Sequence, residues 1–269
     1  MADRPKEEWL RVGTEVRRRR EELGLSLDRL AERVPLSAGM LGAIERGVRG
    51  LKERYAPQLD EALRSGGQIT RLVAHVSKSG IPLWLAELEP LLGRATLIRQ
   101  WQLGWIPGLL QTEDYARAVV RAGETLATEA QLEQYVRARM RRQQVVWQAP
   151  QPRGVFVIDE AVLERNVGGE GVMIPQWDHL LAMAELPHVT LHVLPLSAAP
   201  HVGLDGSFQV LRVPGEPGDI LVLENRSESD IDHVDAKVAQ YSQDFEDLRG
   251  LALPPAASIA MIRKARAKT

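Results

Sequence analysis

The 269-residue chain has no cysteine, which excludes disulfides, thiolate metal sites and cysteine nucleophiles. No apolar run approaches the roughly 20 residues of a membrane span. Near the start no basic segment leads into an apolar stretch, so the expected compartment is the cytoplasm, with no membrane contact. A Gly-Lys-Ser/Thr phosphate loop is missing, Gly168-Gly169 reads as a turn, and Ser197, Ser207 and Ser229 lack a nucleophile-elbow context. The nearest approach to a metal set is His188, His192 and His201 with Asp159, Glu160 and Glu224, but a four-residue spacing along a strand is not the helical pair of a zinc site. From these absences the expectation is no catalytic residue, no metal and no cofactor, and so no enzyme.

Charge of one sign is also scarce overall, with a net −2, but its distribution is uneven. Residues 1–78 hold 16 Lys and Arg against 12 Asp and Glu, net +4, which leaves the remainder at net −6. One basic and one acidic part fits a small domain that meets phosphate joined to one that does not. Hydrophobic residues at 44% and charged ones at 26% are ordinary for globular domains.

The basic part contains the most legible stretch, Ser26 to Gly47. Ser26 can cap a helix whose Leu27, Leu30, Ala31 and Val34 share a side, and Pro35 stops it. Ser37 can cap the next, with Leu36 and Leu41 spaced as a hydrophobic staple, Met40, Leu41 and Ile44 inward, and Gly47 as a left-handed C-terminal cap. Two short helices broken by a tight turn make a helix-turn-helix. They need the preceding helix, Trp9 to Leu23, to close a core through Val12 and Val16. A helix over about Lys52–Leu63 and another over Gln68–Ser77 complete five, and Gly80-Ile81-Pro82 reads as the joint.

Gly13, Val16-Arg17, Arg20, Gly24-Leu25-Ser26, Leu30-Ala31, Ser37 and Ile44-Glu45-Arg46-Gly47 together resemble the XRE class of Cro-repressor-like DNA-binding domains. The resemblance covers the first quarter of the chain. It implies double-stranded DNA as partner and a structural pair between Arg20 and Glu45. The positions that usually offer polar groups to base edges are here Leu27, Ala38, Gly39 and Ala43, none of which donates a hydrogen bond, so bidentate base reading is not expected from this face. Affinity is expected from phosphate contacts by the Ser37 helix start, Arg46, Arg49 and Lys52, with Arg29 and the Ser26 start beside them, while Met40 and the alanine methyls meet thymine methyls. The alternative is a domain kept only for dimerisation or docking.

In the second part the spacing predicts helix from Leu83 to about Gln100, a Thr112-capped helix, and a basic amphipathic helix over Ala130–Trp147. A strand follows at Val155–Ile158, then a helix at Met173–Ala184, strands at Val189–Leu194, Ser207–Val213 and Ile220–Glu224, and two closing helices at about Asp232–Leu251 and Ser258–Arg266. The fold class is α+β: an all-α helix-turn-helix domain over 1–78, then over 79–269 an α+β domain with a small, mostly antiparallel sheet. Ile106 to Ala118, reading IPGLLQTEDYARA, closely resembles the hallmark of a large actinobacterial set of XRE regulators with an antitoxin-like C-terminal domain. That likeness continues through Arg137–Gln143, Val157–Leu163, Gln176, Val193–Pro195, Gly206–Phe208 and Tyr241, Phe245 and Leu248.

Aromatic residues are only 5% of the chain, yet Trp101, Trp105, Trp147 and Trp177 all fall in the second part, where they either pack a core or line a ligand or partner pocket. Three readings compete. The first is a homodimeric transcription regulator whose second domain senses a small-molecule effector or a protein. The second is an antitoxin-like protein acting mainly by binding a small partner protein, and the third is an enzyme tethered to DNA.

Overall fold

Serine caps begin the two central helices of the N-terminal part, as the sequence suggests. The computed structural model describes residues 7–79, 83–125, 127–148, 150–224, 229–232 and 234–269, so the joint read at Gly80–Pro82 lies outside the described residues. The chain divides into two units, Met1–Ala86 and Glu87–Thr269.

The first unit is all-α: α1 (Glu7–Glu22), α2 (Leu27–Ala31), α3 (Ala38–Glu45), a 3-10 turn at Glu53–Tyr55, α4 (Ala56–Ala62) and α5 (Gln68–Ser79). Ser26 Oγ accepts from the Arg29 amide at 3.2 Å and Ser37 Oγ from the Met40 amide at 3.3 Å. Gly47 has φ +68°, its amide bonds the Ile44 carbonyl, and the Val48 amide bonds that of Ala43, a Schellman ending. The sequence reading carries α2 to Val34, whereas the helix ends at Ala31. A residue before proline avoids helical geometry, so Val34 leaves the helix yet stays in the core, 6% exposed, with Val12, Val16, Leu30, Leu41, Ile44 and Leu59. From α4, buried Asp60 accepts from the Ile69 amide at 2.8 Å, the Thr70 amide at 2.9 Å and the Ser65 hydroxyl, which fixes the start of α5.

The division falls within α6 (Leu83–Arg94), and the second unit continues with β1 (Leu97–Gln102), α7 (Glu113–Gly123), α8 (Glu129–Val146), β2 (Arg153–Asp159), α9 (Ala161–Glu164), α10 (Glu170–Ala184) and β3 (Val189–Leu194). After these come β4 (Phe208–Arg212), β5 (Ile220–Glu224), β6 (Ser229–Asp232), α11 (Asp235–Leu251) and α12 (Pro255–Lys268). One sheet runs β3-β2-β1-β4-β5-β6, with β1, β2 and β3 parallel and the other pairings antiparallel. The fold is therefore α+β, with helices first and a mixed, mainly antiparallel sheet after them.

β1 corrects the expectation of helix to Gln100. It is a central strand covered on both faces, so Gln100 and Gln102 are buried with Ile98 and Trp101, and the polar-outside alternation that marks a strand is lost. β6 was likewise not foreseen. α10 begins at Glu170, immediately after Gly168 and Gly169 at φ +78° and +84°. α12 starts at Pro255, because Ser258 is no cap: its Oγ accepts from the Val193 amide at 2.9 Å and so binds the helix to β3. On one face of the sheet Trp101, Val157, Phe208, Val210 and Leu221 pack against Val238, Phe245 and Leu248 of α11. On the other, Phe156 lies 6.4 Å from the Trp147 ring at the end of α8.

Candidate nucleic-acid interface

The outward side of α3 is built from small residues. Gly39 is exposed with nothing within 4 Å of where a Cβ would stand, while Ala38 and Ala43 are half-exposed. Met40 and Leu27 lie half-buried against the core. Helical spacing puts Gly39, Gly42, Ala43 and Arg46 on one face.

That helix is fixed from behind. Arg20 donates Nε to Glu45 Oε1 at 2.6 Å and Nη2 to Oε2 at 2.9 Å, and its Nη1 bonds the Leu25 carbonyl at 2.8 Å. The pair raises the Arg20 pKa, the Glu45 hydrogen bond outweighing the burial that lowers it. α1 crosses close behind α3: a Cβ at Gly13 would stand 2.3 Å from the Ile44 carbonyl oxygen.

The arginine run of α1 is densely basic in sequence but internally neutralised. Arg17 binds Glu21 at 2.8 Å, Arg18 binds Glu15 at 2.7 Å and Glu22 at 2.5 Å, and Arg19 binds Glu15 at 2.9 Å. Arg29 pairs with Glu32 at 3.0 Å. Arg46, Arg49 and Lys52 are exposed, and among the described residues none of the three enters an ion pair. Their donors are free for phosphate or base.

The four tryptophans singled out in the second unit occupy separate environments. Trp101 is fully buried, donates Nε1 to the Gly203 carbonyl at 2.9 Å and meets the His201 ring edge-on at 5.5 Å. Trp177 is fully buried with Nε1 on Thr269 Oγ1 at 3.2 Å, and Trp147 donates to the Leu109 carbonyl at 3.0 Å. Trp105, half-buried like Trp147, has the Arg165 guanidinium 5.6 Å from its ring centroid.

Four of the candidate metal set, His188, His192, Asp159 and Glu160, have other contacts, whereas His201 Nδ1 is buried without a hydrogen-bond partner. His192 Nδ1 bonds the Leu253 carbonyl at 2.9 Å, His188 lies 5.6 Å from the Trp147 ring, and Asp159 and Glu160 accept from the Ala161 and Leu196 amides at 2.8 Å each. The side chains of Glu224 and Ser229 lie outside the described residues. Among the described residues no three such groups converge.

Of the IPGLLQTEDYARA stretch, EDYARA opens α7, and IPGLLQT is a loop with a 3-10 turn whose carbonyls are held by side chains from distant helices. Gln143 Nε2 donates to the Gly108 and Gln111 carbonyls, both at 2.8 Å, and Gln176 Nε2 to that of Leu110 at 2.8 Å. Gln176 Oε1 accepts from the Thr112 amide at 2.7 Å, and Gln111 links the Ile106 carbonyl at 2.7 Å to Arg139 at 2.8 Å. Burial pushes the Tyr115 phenol up to about 12, so it stays neutral while accepting from the Ile106 amide at 3.3 Å. Sequence reasoning gave Gln143 and Gln176 no role. The sequence names both only among the residues that carry the family resemblance.

Residues 85–264 match the family model described as Domain of unknown function (DUF5753). No curated protein and no solved structure matches the chain. Among the described residues no helix is long and apolar enough to cross a membrane. The match takes in the whole of the sheet and nearly all of its helices, and the chain belongs to the DUF5753 family.

Proposed function

We propose that the chain is a cytoplasmic DNA-binding transcription regulator of XRE type, working as a homodimer, whose second unit senses a ligand or a protein partner and carries no catalysis. The observation that supports it is the contrast in charge. Arg17 to Arg20 of α1 are matched by glutamates, whereas Arg46, Arg49 and Lys52, at and beyond the end of the small-residue helix α3, are not. Cations beside a helix slim enough to enter the major groove suit the phosphates that flank it. Two copies are needed because one such unit holds only a half-site.

The test is a salt titration of duplex affinity for the full chain and for Arg49→Ala. Affinity should fall steeply with salt, and the variant should lower the slope by about one unit. A flat titration sinks the proposal.

A second reading, an antitoxin-like protein that acts through a small protein partner, is favoured by one loop of the second unit. Leu196, Val202 and Leu204 are 62%, 50% and 57% exposed there, and the loop is pinned by the Trp101–Gly203 bond. Rigid aliphatic surface of this kind suits a protein partner. Under this reading the chain purifies with such a partner and binds no duplex.

A further inference from the structure

The end of α3 holds a geometry that the alanine and glycine content of its surface conceals. A Cβ built on Gly42 would stand 3.2 Å from Arg46 Nη1 on one side and 3.4 Å from Leu27 Cδ1 on the other. The Arg46 side chain thus turns back along the helix by one turn, the direction helical side chains favour, and lays its guanidinium over the missing side chain of Gly42. There it covers Gly42, which Arg46 and the Leu27 side chain of α2 together bury, while Arg46 itself stays exposed. Among the described residues no carboxylate binds it, so its planar set of N–H donors is uncommitted.

A guanidinium so placed differs from a phosphate clamp. Phosphate contacts need charge at the rim of the groove, as Arg49 and Lys52 supply, and tolerate a mobile point charge. A planar fork held against the body of the helix suits base edges instead, and guanine offers two acceptors, O6 and N7, at matching spacing.

We propose that Arg46 is the base-reading residue of this helix, its guanidinium held over Gly42 to donate two hydrogen bonds to O6 and N7 of a guanine in the major groove. The inference rests on the reading of the first unit as a DNA-binding domain. It replaces the expectation that Arg46 contacts phosphate and that the face reads no base by hydrogen bonds. Gly42 is then a specificity position with no side chain of its own, since it provides the space in which the fork lies.

The experiment is selection of bound sites from a randomised duplex pool by the full chain, followed by affinities for the selected site and for the same site with its fixed guanine replaced. Wild type should enrich one guanine at a constant position in each half-site and prefer it by about tenfold or more. Arg46→Gln should abolish that preference. Gly42→Ala should reduce it at least fivefold, because the added methyl displaces the guanidinium without removing charge. The Ala variant should melt no lower than wild type, since alanine favours helix over glycine. Arg49→Ala should weaken every duplex alike and leave the preference intact. Selected sites lacking a fixed guanine, with steep salt dependence retained, would overturn the role of Arg46 alone. Failure to bind any duplex at low salt would overturn the DNA-binding reading and this inference with it.

Discussion

Arg20 and Glu45, 25 positions apart, meet side by side through two hydrogen bonds with side chains only 12% and 6% exposed. The ion pair therefore ties α1 to the last turn of α3 in a place where water compensates neither charge. Removing one partner should be far worse than removing both. Arg20→Ala is expected to destabilise the first unit by about 3–5 kcal/mol, because Glu45 is left buried and unmatched, whereas Arg20→Met with Glu45→Leu should cost much less. Denaturant unfolding of the two variants against wild type checks this; a single variant as mild as the double one contradicts it.

Asp60 gives the first unit an acid limit. Burial raises its pKa, but the hydrogen bonds from Ser65, Thr70 and Ile69 outweigh it, so the folded value lies below the ordinary 3.8. A carboxylate depressed in the folded state contributes stability that is complete above its unfolded value. That stability is lost as pH falls through the folded one. Unfolding free energy should therefore decline below about pH 4 in wild type and less steeply in Asp60→Asn. Equal acid slopes in the two proteins would remove Asp60 from the account.

Two glycines should respond in opposite ways to the same added methyl. At Gly13 the new carbon would stand 2.3 Å from the Ile44 backbone oxygen, which cannot move without shifting α3, so Gly13→Ala should cost about 3 kcal/mol or more. At Gly39 nothing lies within 4 Å, and Gly39→Ala should gain about 0.5–1 kcal/mol from helix propensity. Thermal melts of both variants decide the matter, and a Gly13 variant that melts with wild type would mean that α1 crosses α3 elsewhere.

Gln176 should matter to stability in the second unit although it faces no solvent. Gln176→Leu leaves the Leu110 carbonyl and the Thr112 amide without their partner and is expected to cost about 1–3 kcal/mol. Gln176→Glu keeps an acceptor for Thr112 but loses the donor to Leu110, so its defect should grow as the carboxylate ionises above pH 5. Chemical denaturation followed by tryptophan fluorescence, recorded at pH 5 and pH 7, reads both.

What the sequence disclosed was whatever depends on neighbours along the chain. Ser26, Ser37, Thr112 and Gly47 end or begin helices through contacts within five residues, and each stands where local chemistry puts it. β1 was illegible because its two glutamines are buried by layers contributed from far along the chain, and no local pattern records that. The ion pairs of Arg17, Arg18 and Arg19 were illegible because composition counts charges and not their partners. The position of Arg46 over Gly42 depends on one side-chain rotamer and one absent Cβ, and neither leaves a periodic trace.

The cancellation along α1 also shapes how the first unit is felt at a distance. Charges matched within 3 Å leave only weak fields outside them, and at physiological ionic strength these decay over about 8 Å. Arg46, Arg49 and Lys52, which lie within seven residues of one another on the chain, stand outside that cancellation. A molecule of near-zero total charge thereby acquires a heading. Under the proposed DNA-binding reading, first collisions with a duplex are biased toward α3 leading, so the glutamates of α1 shorten the orientational search without touching the target.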